Sequence, residues 1–399
     1  MKPFHALLFA FAAITPLAAR ADTPSPFSLS GFGTLGAART DNATRAFRAN
    51  SVSDSGAGAS FDLSVDSVLG IQGSLQIGSR LDLTLQSVVR KSPTGSYDPR
   101  VTWAFASYQA TPELLLRIGR TRLPFFMYSD SLNLNYANPW IRPPVEVYSL
   151  NPLSDIDGAD ALYRRQIGGT DIELHAYAGH SAMNIRGGSA NLDKIRGLKA
   201  SFSRNGLTAQ FSYAQADMSL RWSDAHFLSL QQALVATGYG AIVPELSGTD
   251  GKTSFMSAGL QYDQDRLLLI AEIARRNVDR YIDTGMGWYV TAGYRTGAFT
   301  PYLTVARQRE TSPVSSAVTG VAALDIGLAA FNAGRNKAQR SIGAGLRWDA
   351  GRNVAVKAQL ERIQPGPGGL GIFLPSQLGD YLKPDGPTHV LSLAVDFVF

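Results

Sequence analysis

The chain has no cysteine in its 399 residues, which removes disulfide scaffolds, thiolate-held metals and cysteine nucleophiles from consideration. Histidine is nearly as scarce: His5, His175, His180, His226 and His389 are the only five. Past the first two dozen residues no stretch approaches the roughly 18 uninterrupted apolar side chains of a membrane-crossing helix. A strong excess of one charge is missing too, since 37 Lys and Arg against 32 Asp and Glu leave a formal +5 spread along the chain. That is too mild to argue for a nucleic-acid partner. Mean hydropathy is −0.04, which decides nothing. A transmembrane β-barrel averages to the same value as a soluble protein, because its lipid-facing and water-facing side chains alternate and cancel.

What is present begins with residues 1–21. Lys2 gives a positive start, an apolar run extends from Ala6 to Ala19 broken by Thr15 and Pro16, and Ala19-Arg20-Ala21 fits a small-x-small cleavage pattern. The run is shorter than the ~20 residues that a spanning helix needs, which favours a secretory signal over an anchor. The expectation is one mature domain over 22–399, with a charge of +3 after Lys2 and Arg20 are subtracted from +5.

Residues 61 to 77 carry the clearest period. Phe61, Leu63, Val65, Leu69, Ile71, Leu75 and Ile77 share one face, with Asp62, Ser64, Asp66, Gln72, Ser74 and Gln76 on the other. Gly78-Ser79-Arg80 turns the chain, and Leu81, Leu83 and Leu85 then alternate with Asp82, Thr84 and Gln86. This predicts a long antiparallel hairpin with one apolar face. Extending the reading gives about sixteen strands. They lie near 27–37, 61–77, 80–91, 100–110, 113–120, 158–167, 170–180, 194–204, 206–217, 253–263, 266–277, 285–296, 298–308, 338–349, 353–364 and 388–399. Short turns alternate with longer loops, at 38–60, 92–99, 121–157, 181–193, 218–252, 278–284, 309–337 and 365–387, and Ser223 to Ala236 has helical character within one of them. A transmembrane barrel sorts its connections by length in this way, whereas a soluble sandwich has no reason to.

The third long loop, Thr121 to Asp157, has no strand or helix period but holds Pro124, Pro139, Pro143, Pro144 and Pro152 and the aromatics Phe125, Phe126, Tyr128, Tyr136, Trp140 and Tyr148. So much apolar surface on a long loop needs a place to be buried. The expectation is that it folds into the barrel and sets the width of a pore. Its charges, taken as Asp130, Glu146, Asp155, Asp157, Arg122 and Arg142, would then face a wall that alternation assigns to Arg90, Arg117, Arg164 and Lys357 among others. Opposed charges of this kind would create a transverse field. Two charges ~8 Å apart in water interact by only ~0.5 kcal/mol, so discrimination would be modest.

The last ten residues place Leu391, Leu393, Val395, Phe397 and Phe399 on one face, as the closing strand of a barrel would. With this ending, the strand count and Gly119-Arg120 followed by Pro124, the chain resembles the 16-stranded outer-membrane porins of Gram-negative bacteria. The resemblance implies an all-β transmembrane antiparallel barrel in outer-membrane lipid, with the third loop folded into the lumen. It also implies passive passage of small hydrophilic solutes and ions, a homotrimer, and Phe399 as a signal to the barrel-assembly machinery. The acidic Pro-Glu-Phe-Gly-Gly-Asp motif common in that family is absent, and only the looser Pro144-Val145-Glu146 and Asp155-Ile156-Asp157-Gly158 are present.

Other chemistry is weak. Gly31-Phe32-Gly33-Thr34-Leu35-Gly36 matches a dinucleotide fingerprint but lacks the strand before it and the helix after it, so a small-residue first strand is the better reading. Gly251-Lys252-Thr253 ends like a phosphate loop, yet Leu246 stands where a glycine is required. His175 and Glu173 share a face without a third ligand or a nucleophile. No metal, cofactor or catalytic residue is expected. A substrate-specific channel, a barrel enzyme or an adhesin remain as alternatives.

Overall fold

The computed structural model describes residues 25–222, 225–375 and 386–399, so the expected signal at 1–21 lies outside the described residues. Sixteen strands form one closed antiparallel barrel. In chain order they are β1 (Phe27–Thr40), β2 (Val68–Ile77), β3 (Leu81–Arg90), β4 (Arg100–Gln109), β5 (Leu114–Arg122), β6 (Asp155–Ile167), β7 (Thr170–Ile185) and β8 (Gly188–Arg204). The second half comprises β9 (Leu207–Trp222), β10 (Gly251–Gln264), β11 (Leu267–Val278), β12 (Thr284–Tyr294), β13 (Phe299–Ser312), β14 (Gln339–Gly351), β15 (Val354–Pro365) and β16 (Thr388–Val398). Every strand pairs with its sequence neighbour, and β1 pairs with β16 to close the ring.

The short turns use backbone that favours glycine. At Asn205-Gly206 both φ angles are positive, 48° and 76°, and at Gly168-Gly169 they are 56° and 77°. Two successive positive φ values match the right-handed twist of a tight hairpin. Closure is set by Gly31 and Phe399, which exchange backbone hydrogen bonds of 2.8 and 2.9 Å. The rings of Phe399 and Phe397 lie where side chains at Gly31 and Gly33 would be. These glycines therefore serve packing in a first strand, as the small-residue strand reading required.

Alternation sorts the two faces. Leu69, Ile71, Leu83 and Leu85 are exposed, as are Ile118 and Leu198, whereas Gln86, Thr102 and Ser107 are buried. Exposed aromatics gather toward the short-turn end, among them Tyr108, Phe202, Tyr294, Phe299 and Trp348. An outward apolar band with an aromatic girdle is what a barrel in lipid presents.

Two expectations fail in detail. The alternation from 61 does not continue as strand, because β2 begins only at Val68. Asp62 pairs with Ala38 as an isolated bridge, and its carboxylate accepts from the backbone and hydroxyl of Ser64, a local turn that outcompetes the ladder. The loop expected at 181–193 is a tight connection instead, since β7 runs to Ile185 and β8 starts at Gly188. Elsewhere the long connections carry helices: α1 (Val145–Tyr148), α2 (Ala225–Ala236), α3 (Val243–Leu246) and α4 (Ala322–Arg335).

The face assignment has a direct test. Arginine at Leu85, the fifth of ten residues of β3 and on the exposed face, is expected to cost ~2–4 kcal/mol of barrel stability, whereas Thr84→Arg on the opposite face is mild. Urea unfolding in lipid vesicles measures both. Normal stability for Leu85→Arg with loss for Thr84→Arg would place the register one residue off.

Candidate functional site

Residues 123–154 connect β5 to β6 and are mostly buried. Their aromatics pack on the wall and on each other. Phe125 stacks on Phe255 with ring centroids 4.8 Å apart, Phe126 stacks on Tyr148 at 4.6 Å, and Trp140 meets Tyr289 edge-on at 5.6 Å. Each such ring buries roughly 150–250 Å². This is the apolar sink that the sequence demanded.

Polar anchors hold the same segment at two places. On β11, the carboxylate of Glu272 accepts from the Met127 backbone at 2.8 Å, from Tyr148 at 2.9 Å and from Tyr289 at 3.1 Å. Nearby, Trp140 donates to Thr291 at 3.0 Å and Tyr128 to Gln261 at 2.7 Å. On β15, the Lys357 ammonium donates to the carbonyls of Asn135, Asn138 and Trp140 at 2.7, 2.8 and 2.8 Å, and stands 2.8 Å from Asp396. Asn135 in turn donates to Thr34, which donates to Asp396. Arg142 forks between Asp66 and Glu361, also donates to Ser392 at 2.6 Å, and lies over the Phe47 ring. Removing one partner from such a buried ion pair costs ~3–5 kcal/mol, because the other charge is left uncompensated.

The wall beneath the segment is flattened by glycine. A side chain at Gly287 would strike the Glu146 carbonyl, and one at Gly259 or Gly285 would come within 3.0 Å of Met127 or 3.3 Å of Leu150. Alternation had placed Glu272 on the inward face, but the sequence reading missed these glycines, together with Tyr289 and Asn135. The available signal was Gly285-Met286-Gly287, glycine recurring on the polar face of a strand, which marks a close backbone approach.

The expected site residues separate into groups. Arg122 and Asp155 belong to the strand ends rather than to the loop, because they pair in the β5–β6 ladder. Asp155 lies 2.9 Å from both Arg122 and Arg100, and Arg90 donates to Asn133. Asp157 is also a strand residue. It sits with Arg120 two residues from the exposed Ile118–Ala159 pair and so shares the outward face, bonded to Arg120 and 3.9 Å from His180. Arg117 and Arg164 do not face loop carboxylates either. Arg117 is bidentate to Asp160 and Arg164 pairs with Glu173, each with its cross-strand neighbour. Of the loop acids, Asp130 is exposed and close enough to act on Arg122.

Glu146 departs furthest from its expected rim position. It is 1% exposed and accepts from Gln339 at 2.8 Å. Burial pushes its carboxyl above the ordinary carboxylate range, although hydrogen bonds from Ser341 and Gln339 oppose the shift. Lys357, taken as open wall, is fully covered by the loop. Among the described residues no group of three or more His, Asp or Glu could hold a metal ion.

No family model and no curated protein match the sequence. Solved structures do. An anion-selective porin from Comamonas acidovorans superposes with a TM-score of 0.56 at 11% identity, covering 94% of this chain and 100% of that one. OmpT of Vibrio cholerae, an outer-membrane protein in its trimer form, gives 0.54 at 10% identity over 94% and 100%. OmpF of Salmonella typhi, complexed with daunomycin, gives 0.52 at 13% identity over 94% and 97%. The chain therefore has the fold of the 16-stranded outer-membrane porins.

A raised carboxyl has a definite pH signature. The folded state of Glu146 keeps its proton to higher pH than the unfolded chain does, so stability falls as pH rises above the ordinary carboxylate range. Glu146→Gln removes this loss. Its melting temperature in detergent is expected to match the parent near about pH 4 and to exceed it by about 2–4 °C at neutral pH. An equal difference at both pH values would mean that Glu146 is charged in the fold.

Proposed function

We propose that the protein is a passive channel of the Gram-negative outer membrane, through which small hydrophilic solutes and ions diffuse, and that the loop 123–154 constricts its lumen. The observation that carries this reading is the set of non-local bonds from the loop to the polar face of β10–β12 and β15–β16. A polar barrel interior with one wall covered by a fixed loop leaves a narrowed water path along the other. That other wall carries Arg90 and Arg100, on β3 and β4, beside the loop base.

The charges about the loop base are Arg90, Arg100 and Arg122 with Asp66, Asp155 and exposed Asp130, three of each sign. Balanced charges of this kind support little net preference between anions and cations, the more so because water and salt screen the field. The reading is of a channel rather than an enzyme, supported by the likeness of the fold to solved porins. Export directed by residues 1–21, a mature domain over 22–399, assembly through Phe399 by the barrel-assembly machinery, and a homotrimer complete the proposal. The last is supported by the trimer form of the Vibrio cholerae protein.

Planar-bilayer recording tests the core of it. Deleting Asn133 to Leu153 is expected to raise single-channel conductance severalfold. Unchanged conductance after deletion would place the loop outside the conduction path and end the constriction reading.

A further inference from the structure

Five arginines stand in a row on the exposed face of β11 to β15, toward the long-loop ends of the strands. Arg275 on β11, Arg307 and Arg309 on β13, Arg340 on β14 and Arg362 on β15 are all exposed. Each lies two or four residues from an exposed apolar side chain of its own strand, namely Ile273, Val305, Ile342 and Leu360, and so shares the outward face. The register sets Arg307 directly across from Arg340, places Arg362 opposite Ile342, and sets Arg309 across from Met286, whose other neighbour is Arg275.

Like charges directly opposite each other on a ladder are destabilising. Among the described residues none of the five has a carboxylate within ion-pair distance, and the one side-chain hydrogen bond is from Arg275 to Asn277 at 2.8 Å. Several other cations near this rim are matched. Arg120 is matched by Asp157 at 2.6 Å, Lys194 by Asp217 at 2.7 Å and His389 by Asp41 at 2.6 Å. Exposed arginines without a carboxylate partner stand singly elsewhere, as Arg39 and Arg196 do, whereas this arc gathers five of them, and among the described residues the fold supplies them no anion.

Their height fits a headgroup. Phe299 and Trp348 stack at the short-turn end of β13 and β14. Arg307 is eight residues further along β13. At about 3.3 Å per residue and a tilt of ~40°, it lies ~20 Å higher, close to the far edge of an apolar band ~25 Å tall. Guanidinium groups at that level reach polar surroundings while their stems stay on apolar surface. Arginine forks also match phosphate oxygens bidentately.

We propose that this arc binds the phosphorylated headgroup of a glycolipid in the outer leaflet, with Arg307 and Arg340 sharing one phosphate and Arg309 and Arg362 flanking it. The bound anion relieves the repulsion that the register builds in. This inference rests on the membrane placement proposed above, and not on what passes through the channel.

The test uses the full chain, delipidated in detergent and titrated with diphosphorylated lipid A, with its phosphate-free counterpart and with inorganic pyrophosphate. Retained lipid is read by native mass spectrometry. The parent and Arg196→Gln, an exposed arginine on β8 outside the arc, are expected to hold the diphosphorylated lipid. R307Q/R340Q is expected to bind it at least ~10-fold more weakly, and the phosphate-free lipid is expected to bind weakly to all three. Equal affinity of parent and double variant overturns the proposal, as does equal retention of the phosphate-free lipid. Displacement of the lipid by pyrophosphate at matching concentration would reassign the arc to free anions. Conductance of each preparation is recorded in parallel. A chain that inserts and conducts without discriminating the lipids sinks this inference alone, while one that fails to insert sinks the membrane reading beneath it.

Discussion

A buried lysine constrains the whole arrangement. The Lys357 ammonium has no access to water, so its three donors and its charge must be satisfied by protein. Its own strand cannot do this, because ladder carbonyls are already committed to neighbouring strands. An irregular segment has carbonyls to spare. The stretch from Asn135 to Trp140 turns three of them toward the ammonium while Asp396 balances the charge. The loop needs partners for its backbone and the wall needs partners for its lysine, and each supplies what the other lacks. Arg142 repeats the logic from the other side, a loop cation answered by Asp66 and Glu361.

These anchors explain why so long a segment keeps one conformation. Its apolar side chains give adhesion without direction, since aromatic stacking tolerates sliding. The ion pairs and the Glu272 carboxylate, with three donors converging on it, select one register among many. The glycines at 259, 285 and 287 then let the backbone lie close to the wall along that register.

Much of the barrel was legible because its signal is local and repeated. A period of two reports which face a residue occupies, and hairpin turns such as Asn205-Gly206 carry their own chemistry. All sixteen strands were placed from these signals alone. The strand beginning at 61 was drawn too early, because Asp62 prefers a side-chain turn that periodicity does not register. The site was far less legible. Its decisive contacts join residues more than 200 positions apart, such as Arg142 with Ser392 and Asn138 with Lys357, and one sequence holds no record of such distances. Asp157 was assigned to the loop for want of a strand boundary, and the ladder carries it to the outer face beside Arg120. Glu146 was read as a rim charge on residue type alone, whereas the wall buries it under Gln339.

The central proposal is that charge anchoring of the loop, rather than the barrel's own diameter, fixes the width of the path. Polymer-exclusion sizing of single channels tests it most directly, with graded polyethylene glycols applied to the parent and to a Lys357→Met, Arg142→Ala variant whose barrel is verified intact by its resistance to detergent unfolding. The account predicts that the variant admits larger polymers than the parent and conducts more noisily. An identical exclusion limit and an equally steady current in both would contradict it.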